Sequence, residues 1–180
     1  MNASIRFVPK DRQTFETCNE AVKSKGSQLA FVPFESFTHE QCSSLCQMAV
    51  TNDGCSLLHV PHEYRTTALC LDAVLQSASA ISFVPDHELS DAICIVALKK
   101  YAWAFAHIRS VGRTSAVVAC AINEGLSIST MVQQNILQEN DPLFDLDGLF
   151  WSTVSVLLDD AVSAQLDIDA FSRFKKMEAK

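Results

Sequence analysis

Apolar and polar positions recur along residues 5–132 with a period of about 24 residues. Cys18, Cys46, Cys70 and Cys94 are separated by 28, 24 and 24 residues. An alanine followed by valine or leucine lies three residues after each of them, and a large apolar residue lies eleven residues after. Valine or isoleucine follows at fourteen residues, with proline next in three of the four copies. Val118 takes the cysteine position in a fifth copy.

Each copy contains an apolar stripe with the spacing of one helix face. In the third copy this stripe is Leu69, Cys70, Ala73 and Val74. Hydroxyl residues precede the stripes at the positions expected of helix N-caps. They are Thr14, Thr38, Thr66, Ser90 and Thr114. The second cap lies four residues further from its cysteine, with Gln41 completing a capping box, which predicts one extra helical turn there.

The sequence also predicts where these helices end. Gly26 and Gly54 follow the first two stripes, and we expect them to end the helices in the left-handed conformation. A short helical turn or extended piece comes next, and the Val-Pro pair ends it. One such unit cannot bury its own stripe, so neighbouring units must share a core. The predicted fold is all-α, a short α-helical repeat stack with a C-terminal helical cap.

The predicted domain organisation has two parts. Residues 1–138 form the helical repeats, with a partial copy at 1–13 and copies that start near 14, 38, 66, 90 and 114. Residues 139–180 form an acidic helical C-terminal cap. Residues 139–170 hold eight acidic residues and no lysine or arginine, yet an apolar stripe from Leu149 to Leu166 has helical spacing. An acidic arm that binds a partner is the alternative for this segment.

Composition narrows the class of protein. The chain has 180 residues, of which 48% are hydrophobic, and a net charge of −7, which excludes intrinsic disorder. It has no apolar stretch of transmembrane length and no signal peptide pattern. We expect a cytoplasmic protein, or one delivered into another cell without a signal peptide. The seven cysteines are an odd number in a chain that does not resemble a small disulfide scaffold, so reduced, buried thiols are expected.

The segments Leu69-Cys70-Leu71-Asp72-Ala73-Val74 and Ile81-Ser82-Phe83-Val84-Pro85 resemble a tandem repeat family of unknown function. Its units read Leu-Cys-x-x-Ala-Val and then Gly-x-Ala-Leu-x-x-Val-Pro, and they occur in large proteins of intracellular bacteria, large viruses and protists. The resemblance covers about residues 5–132. It implies a helical scaffold in an effector or inhibitor that acts on host or competitor machinery. It supplies no catalytic residue.

Candidate chemistry is sparse, and we expect no cofactor, no metal ligand set and no catalytic residue. A zinc set is the metal alternative. Its members would be His39, Cys42, Cys46, Cys55, His59 and His62. The repeat register favours packing instead, because Cys46 fills the shared cysteine position. His59 and His107 fill a position that phenylalanine fills elsewhere, so both are expected to be half-buried. A cysteine-dependent enzyme using Cys55 or Cys120 is a second alternative.

The fourth copy contains the candidate recognition site. Trp103 replaces the small residue of other copies, and Tyr101, Lys99 and Lys100 lie next to it. Aromatic and cationic residues together are typical of protein interfaces. Packing of Trp103 into a wider core gap is the other interpretation. The predicted function is a non-enzymatic protein–protein interaction module whose partner is another protein.

Direct binding of nucleic acid is not expected, and neither is binding to a membrane. Residues 1–138 carry ten basic and twelve acidic side chains, so they create no strong cationic field. Lys99, Lys100, Arg109 and Arg113 form at most a small basic patch. An acidic mimic of nucleic acid that blocks a DNA-binding protein is a further alternative, based on residues 139–170.

Overall fold

A computed structural model describes residues 4–126, and within that range the chain forms helices and turns with no strand. The five α-helices are α1 (Phe15–Ser24), α2 (His39–Asn52), α3 (Thr67–Gln76), α4 (Asp91–Lys100) and α5 (Ser115–Asn123). The predicted all-α class is confirmed. The predicted cap at residues 139–180 lies outside the described residues.

Each of the first four α-helices is followed by a six-residue 3₁₀ helix. These long 3₁₀ helices are Gly26–Phe31, Gly54–His59, Ala78–Phe83 and Ala102–His107. Three-residue 3₁₀ turns then lead into the next helix, at Phe34–Ser36, His62–Tyr64, Asp86–Glu88 and Ser110–Gly112. One unit therefore consists of an α-helix, a long 3₁₀ helix and a 3₁₀ turn. The predicted short piece is the long 3₁₀ helix, and the second turn is additional to the prediction.

Hydroxyl caps fix where the helices begin. Thr14, Thr66 and Thr114 each accept a hydrogen bond from the backbone N–H three residues further on. Thr38 and Gln41 form the expected capping box. Helix α2 has 14 residues where α1, α3 and α4 have 10, which confirms the extra turn. Ser90 differs, because it precedes α4 without accepting a capping bond, and the first turn there carries Asp91 instead.

The core runs through the units in chain order. Each of α2, α3 and α4 packs against the α-helices before and after it, and against the long 3₁₀ helices of its own unit and the preceding one. The side chains eleven residues after the cysteine position are at most 1% exposed. They are Leu29, Leu57, Ile81 and Phe105. Each unit therefore completes the core of its neighbour, as the apolar stripes require.

The predicted role of Gly26 and Gly54 is wrong. The helices end before these glycines, at Ser24 and Asn52, and their C-cap residues Lys25 and Asp53 are extended with φ of −155° and −149°. Within residues 4–126 only Gly125 has a positive φ among the glycines. A Cβ on Gly26 would lie 2.6 Å from the carbonyl oxygen of Ala49, and one on Gly54 would overlap the carbonyl oxygen of Ala73. Both glycines are needed because the backbone passes close to the end of the following helix.

His107 also departs from its prediction. It is exposed, whereas His59 at the same position of an earlier unit is half-buried as predicted. Phe7 shares this position and is 80% exposed. The position lies at the edge of the core, so an aromatic or imidazole ring there does not imply burial.

Replacing Gly54 with alanine should destabilise the fold by about 1–3 kcal/mol, because the new Cβ would push α3 and the long 3₁₀ helix apart. Urea unfolding followed by circular dichroism measures this change. Ala102→Gly is the matched control at the same position of the fourth unit, and it should cost only about 0.5–1 kcal/mol. Equal losses in the two variants would contradict a steric role for Gly54.

Candidate functional site

The predicted recognition residues lie where α4 ends and the next 3₁₀ helix begins. Lys99 and Lys100 are the last two residues of α4, and Tyr101 is its extended C-cap. Trp103 is the second residue of the 3₁₀ helix Ala102–His107. The four residues are thus adjacent along the surface, although they serve different purposes.

Lys100 is occupied by a contact within the protein. Its ammonium group donates to the carbonyl oxygen of Leu75, and to that of Gln76 at 2.9 Å. Equivalent residues make similar bonds earlier in the chain. Asn52 donates to the carbonyl of Lys23 at 2.6 Å, and Gln76 donates to that of Asn52 at 3.4 Å. Each donor satisfies carbonyls at the end of the preceding α-helix, which would otherwise have only water as a partner.

Tyr101 and Trp103 lie on the surface, 57% and 37% exposed. Burial in a core gap, the alternative interpretation of Trp103, does not fit this exposure. Ala104 and Phe105 are the fully buried residues of that 3₁₀ helix. Trp103 therefore leaves a large fraction of its indole available for contact with another molecule.

Leu75 is a surface residue that the sequence reasoning missed. It is 52% exposed, and its carbonyl oxygen accepts the Lys100 bond, so it lies beside the end of α4. We call Leu75, Lys99, Tyr101 and Trp103 together the Trp103 patch. The repeat register could have indicated this residue. The equivalent positions in α1, α2 and α4 are polar, and they are Lys23, Thr51 and Lys99.

The two arginines of the predicted basic patch are also engaged. Arg109 stands where three other units have proline, and it donates to the carbonyl oxygens of Ser82 and Val84 and pairs with Asp86. Arg113 donates from Nε to the carbonyl of Ile108 at 2.8 Å. These guanidinium groups hold turns together. Lys100, Arg109 and Arg113 all donate hydrogen bonds to backbone carbonyls. Lys99 is the one predicted basic residue whose side chain makes no hydrogen bond within residues 4–126.

Most of the cysteines are packed into the core. All seven are free thiols, and five of them are at most 1% exposed. Burial raises the pKa of Cys18, Cys70 and Cys94 to about 11 and that of Cys46 to about 12. Burial raises the pKa of Cys120 as well, assisted by Glu124. A nucleophilic cysteine needs its pKa lowered, so these shifts run against thiolate chemistry.

Three residues of the alternative zinc set, His39, Cys42 and Cys55, make other contacts. Cys42 donates from Sγ to the carbonyl of Phe34 at 3.4 Å, and the ring of His39 lies 4.9 Å from that of Tyr64. Cys55 lies 3.6 Å from the hydroxyl of Ser77. Within residues 4–126, no group of three or more histidine, cysteine, aspartate or glutamate side chains has the geometry of a metal site.

No protein-family model, curated protein or solved structure matches the chain. In the part of the chain that the structure describes, no helix has both the length and the apolar character needed to cross a bilayer. Inference about function therefore depends on the surface chemistry described above.

Thiol accessibility follows from these burial values. We expect a thiol reagent at pH 8 to modify at most Cys55 and Cys120 in the native protein, and all seven cysteines after denaturation. Mass spectrometry after alkylation counts and locates the labels. Cys55→Ser should remove one native label. Rapid labelling of Cys70 or Cys94 in the native protein would contradict the burial of these two thiols.

Stability should fall as the pH rises above about 9. Thiols in the unfolded chain ionise there, while the buried thiols stay neutral up to about 11, so the unfolded state binds fewer protons. Each such thiol contributes a slope of up to about 1.4 kcal/mol per pH unit. Urea unfolding between pH 8 and 10.5 measures this slope. Cys70→Ala should have a shallower slope than wild type, and identical slopes would contradict the assignment.

Proposed function

We propose that the chain is a non-enzymatic protein-binding module that contacts its partner through the Trp103 patch. The observation that carries this proposal is the exposure of three large apolar side chains at the neighbouring ends of α3 and α4. Leu75, Tyr101 and Trp103 are 52%, 57% and 37% exposed. Tryptophan and tyrosine dominate the residues that carry binding energy in protein interfaces.

The patch is specific to one place in the described chain. The positions equivalent to Trp103 in the preceding units are Ser27, Cys55 and Ser79, and the positions equivalent to Tyr101 are Lys25, Asp53 and Ser77. Core packing does not require aromatic rings at these positions, because the other units pack without them. Binding of another molecule is a physical reason to place two such rings on the surface.

The Lys100 bonds favour a rigid binding surface. They fix the end of α4 to the end of α3, so Leu75 and Tyr101 are presented on two helix ends that are already joined. A surface that is ordered before binding loses less conformational entropy on association. Lys99 adds a positive charge beside the aromatic rings. A partner that presents an apolar side chain next to a carboxylate would complement both features.

The observations give less support to the other functions. A cysteine-dependent enzyme would need a thiol with a lowered pKa, and burial acts in the opposite direction on the five cysteines whose pKa shifts. A nucleic-acid mimic would depend on residues 139–170, which lie outside the described residues. An effector or inhibitor that acts on host or competitor machinery is the setting that the repeat resemblance implies, and it is compatible with a protein-binding module.

Site-specific crosslinking tests the proposal directly. A photoreactive amino acid placed at residue 103 should capture a partner protein from the native host, while the same group at residue 58 should not. Leu58 is a suitable control because it is 51% exposed but lies outside the Trp103 patch.

Affinity for the captured protein then gives the quantitative test. Trp103→Ala and Tyr101→Ala should each weaken Kd by about thirtyfold, which corresponds to about 2 kcal/mol. Leu75→Ala should weaken binding measurably, and Leu58→Ala should leave it unchanged. Unchanged affinity in both aromatic variants, with helical content retained, would show that the partner binds elsewhere.

A further inference from the structure

A surface groove of about 420 Å³ lies between the partial first copy and the unit that contains α1. Its lining residues lie within 6–10 and 30–35, which are equivalent stretches of two neighbouring copies, and Gln13 completes the lining. A volume of about 300–1,000 Å³ is typical of ligand sites in proteins. The groove is therefore large enough to hold the end of a peptide.

An arginine bridges the equivalent stretches at the third unit. Arg65 stands at the position equivalent to Gln13 and donates to the carbonyl oxygens of Leu58 and Val60 in its own copy. The same guanidinium also donates to the carbonyl of Phe83 in the next copy, at 3.4 Å. Gln13 is shorter, so it leaves open a groove that a guanidinium group bridges at Arg65.

Gln13 contains a buried acceptor that the protein does not use. The residue is 8% exposed, and its Nε2 donates to the carbonyls of Ile5 at 3.2 Å and Val8 at 2.8 Å. Because carbonyl oxygens only accept, these bonds fix which end of the amide is the nitrogen. The other end, Oε1, is buried and has no hydrogen-bond partner within residues 4–126. A buried acceptor without a partner costs free energy, which an N–H from a ligand would recover.

Two cations and one carboxylate line the groove. The guanidinium of Arg6 lies over the ring of Phe31, 5.7 Å from its centroid, and makes no hydrogen bond within the described residues. Nζ of Lys10 lies 3.8 Å from a carboxylate oxygen of Glu35, and these side chains are 80% and 71% exposed. Such an exposed ion pair is weak. The lining therefore has an excess of positive charge and favours an anionic group.

The rest of the lining is apolar. It consists of Val8, Pro9, Ala30, Phe31, Val32 and Pro33. The ring of Phe31 is 39% exposed, and Phe7, which follows Arg6 in the chain, is 80% exposed. An apolar side chain that binds here would cover part of this surface.

We propose that this groove binds the carboxyl-terminal end of a peptide chain whose last side chain is apolar. The carboxylate would accept hydrogen bonds from Arg6 and Lys10, which are stronger than bonds between neutral groups. The apolar side chain would pack on Phe31 and Pro33, and the backbone N–H of the last residue would donate to Oε1 of Gln13. Capture of a terminal carboxylate is a known mode of peptide recognition. This proposal does not depend on the Trp103 patch, which belongs to the fourth unit.

NMR titration of the ¹⁵N-labelled full chain with the peptide N-acetyl-Ala-Leu-Val tests the proposal. We expect one site, with a shift of the side-chain amide signal of Gln13. The same peptide with a terminal carboxamide should bind about tenfold or more weakly, because it lacks the charge that Arg6 and Lys10 recognise. Arg6→Ala and Lys10→Ala should each weaken binding of the free acid. Arg12→Ala is the matched control, since it removes the same charge from an exposed residue outside the groove, and it should leave the affinity unchanged.

Gln13→Arg tests whether the open groove is the site. The longer side chain should bridge the two stretches as Arg65 does, and peptide binding should be lost while circular dichroism shows unchanged helical content. Phe31→Ala, which removes a partly exposed ring, is a second variant and should weaken binding.

Several results would overturn the proposal. They are absence of binding, equal affinity for the acid and the carboxamide, and shifts confined to the Trp103 patch. Unchanged affinity in both Arg6→Ala and Lys10→Ala, or in both Gln13→Arg and Phe31→Ala, would do the same.

Discussion

The structure depends on one constraint, which is that no α-helix within residues 4–126 can bury its apolar stripe within its own unit. Helices α2, α3 and α4 each pack between their neighbours and against two long 3₁₀ helices. Space at the centre of each stripe is limited, and a small apolar side chain fills it. Cysteine meets that requirement in four units, and valine meets it in the fifth. The same burial keeps these thiols neutral. The repeated cysteines, which could suggest reactive thiols in the sequence, therefore serve as small apolar core residues in the structure.

Close packing also governs what happens where the helices end. The backbone at Gly26 and Gly54 passes so near the next unit that a Cβ would collide with a carbonyl oxygen. At the same ends, Asn52, Gln76 and Lys100 donate hydrogen bonds to the preceding unit. These bonds link successive helix ends. The Trp103 patch lies on this part of the surface, so the interactions that hold the units together also position the side chains proposed to bind a partner.

The opposite ends of the units are held by longer polar side chains. Gln13, Arg65 and Arg113 occupy equivalent positions, and each donates to the backbone carbonyl five residues before it, which belongs to Val8, Val60 and Ile108 respectively. Leu89 occupies this position in the fourth unit and cannot donate, and Arg109 of the next turn bonds to the carbonyl of Val84 instead. On the same side, His62 and His87 lie on equivalent turns of neighbouring units, with their ring centroids 5.3 Å apart.

Local chemistry explains what the sequence by itself determined. The helix starts, the extra turn in α2, the buried cysteines and the all-α class follow from spacing and capping, which act within a few residues. The role of Gly26, the exposure of His107 and the engagement of Lys100 were decided only by the tertiary structure. So were the position of Leu75 beside α4 and the pairing of His62 with His87. Each of these features depends on which atoms of a neighbouring unit lie close by. The repeat period gives the order of the units along the chain, but it does not give the distances between atoms of different units.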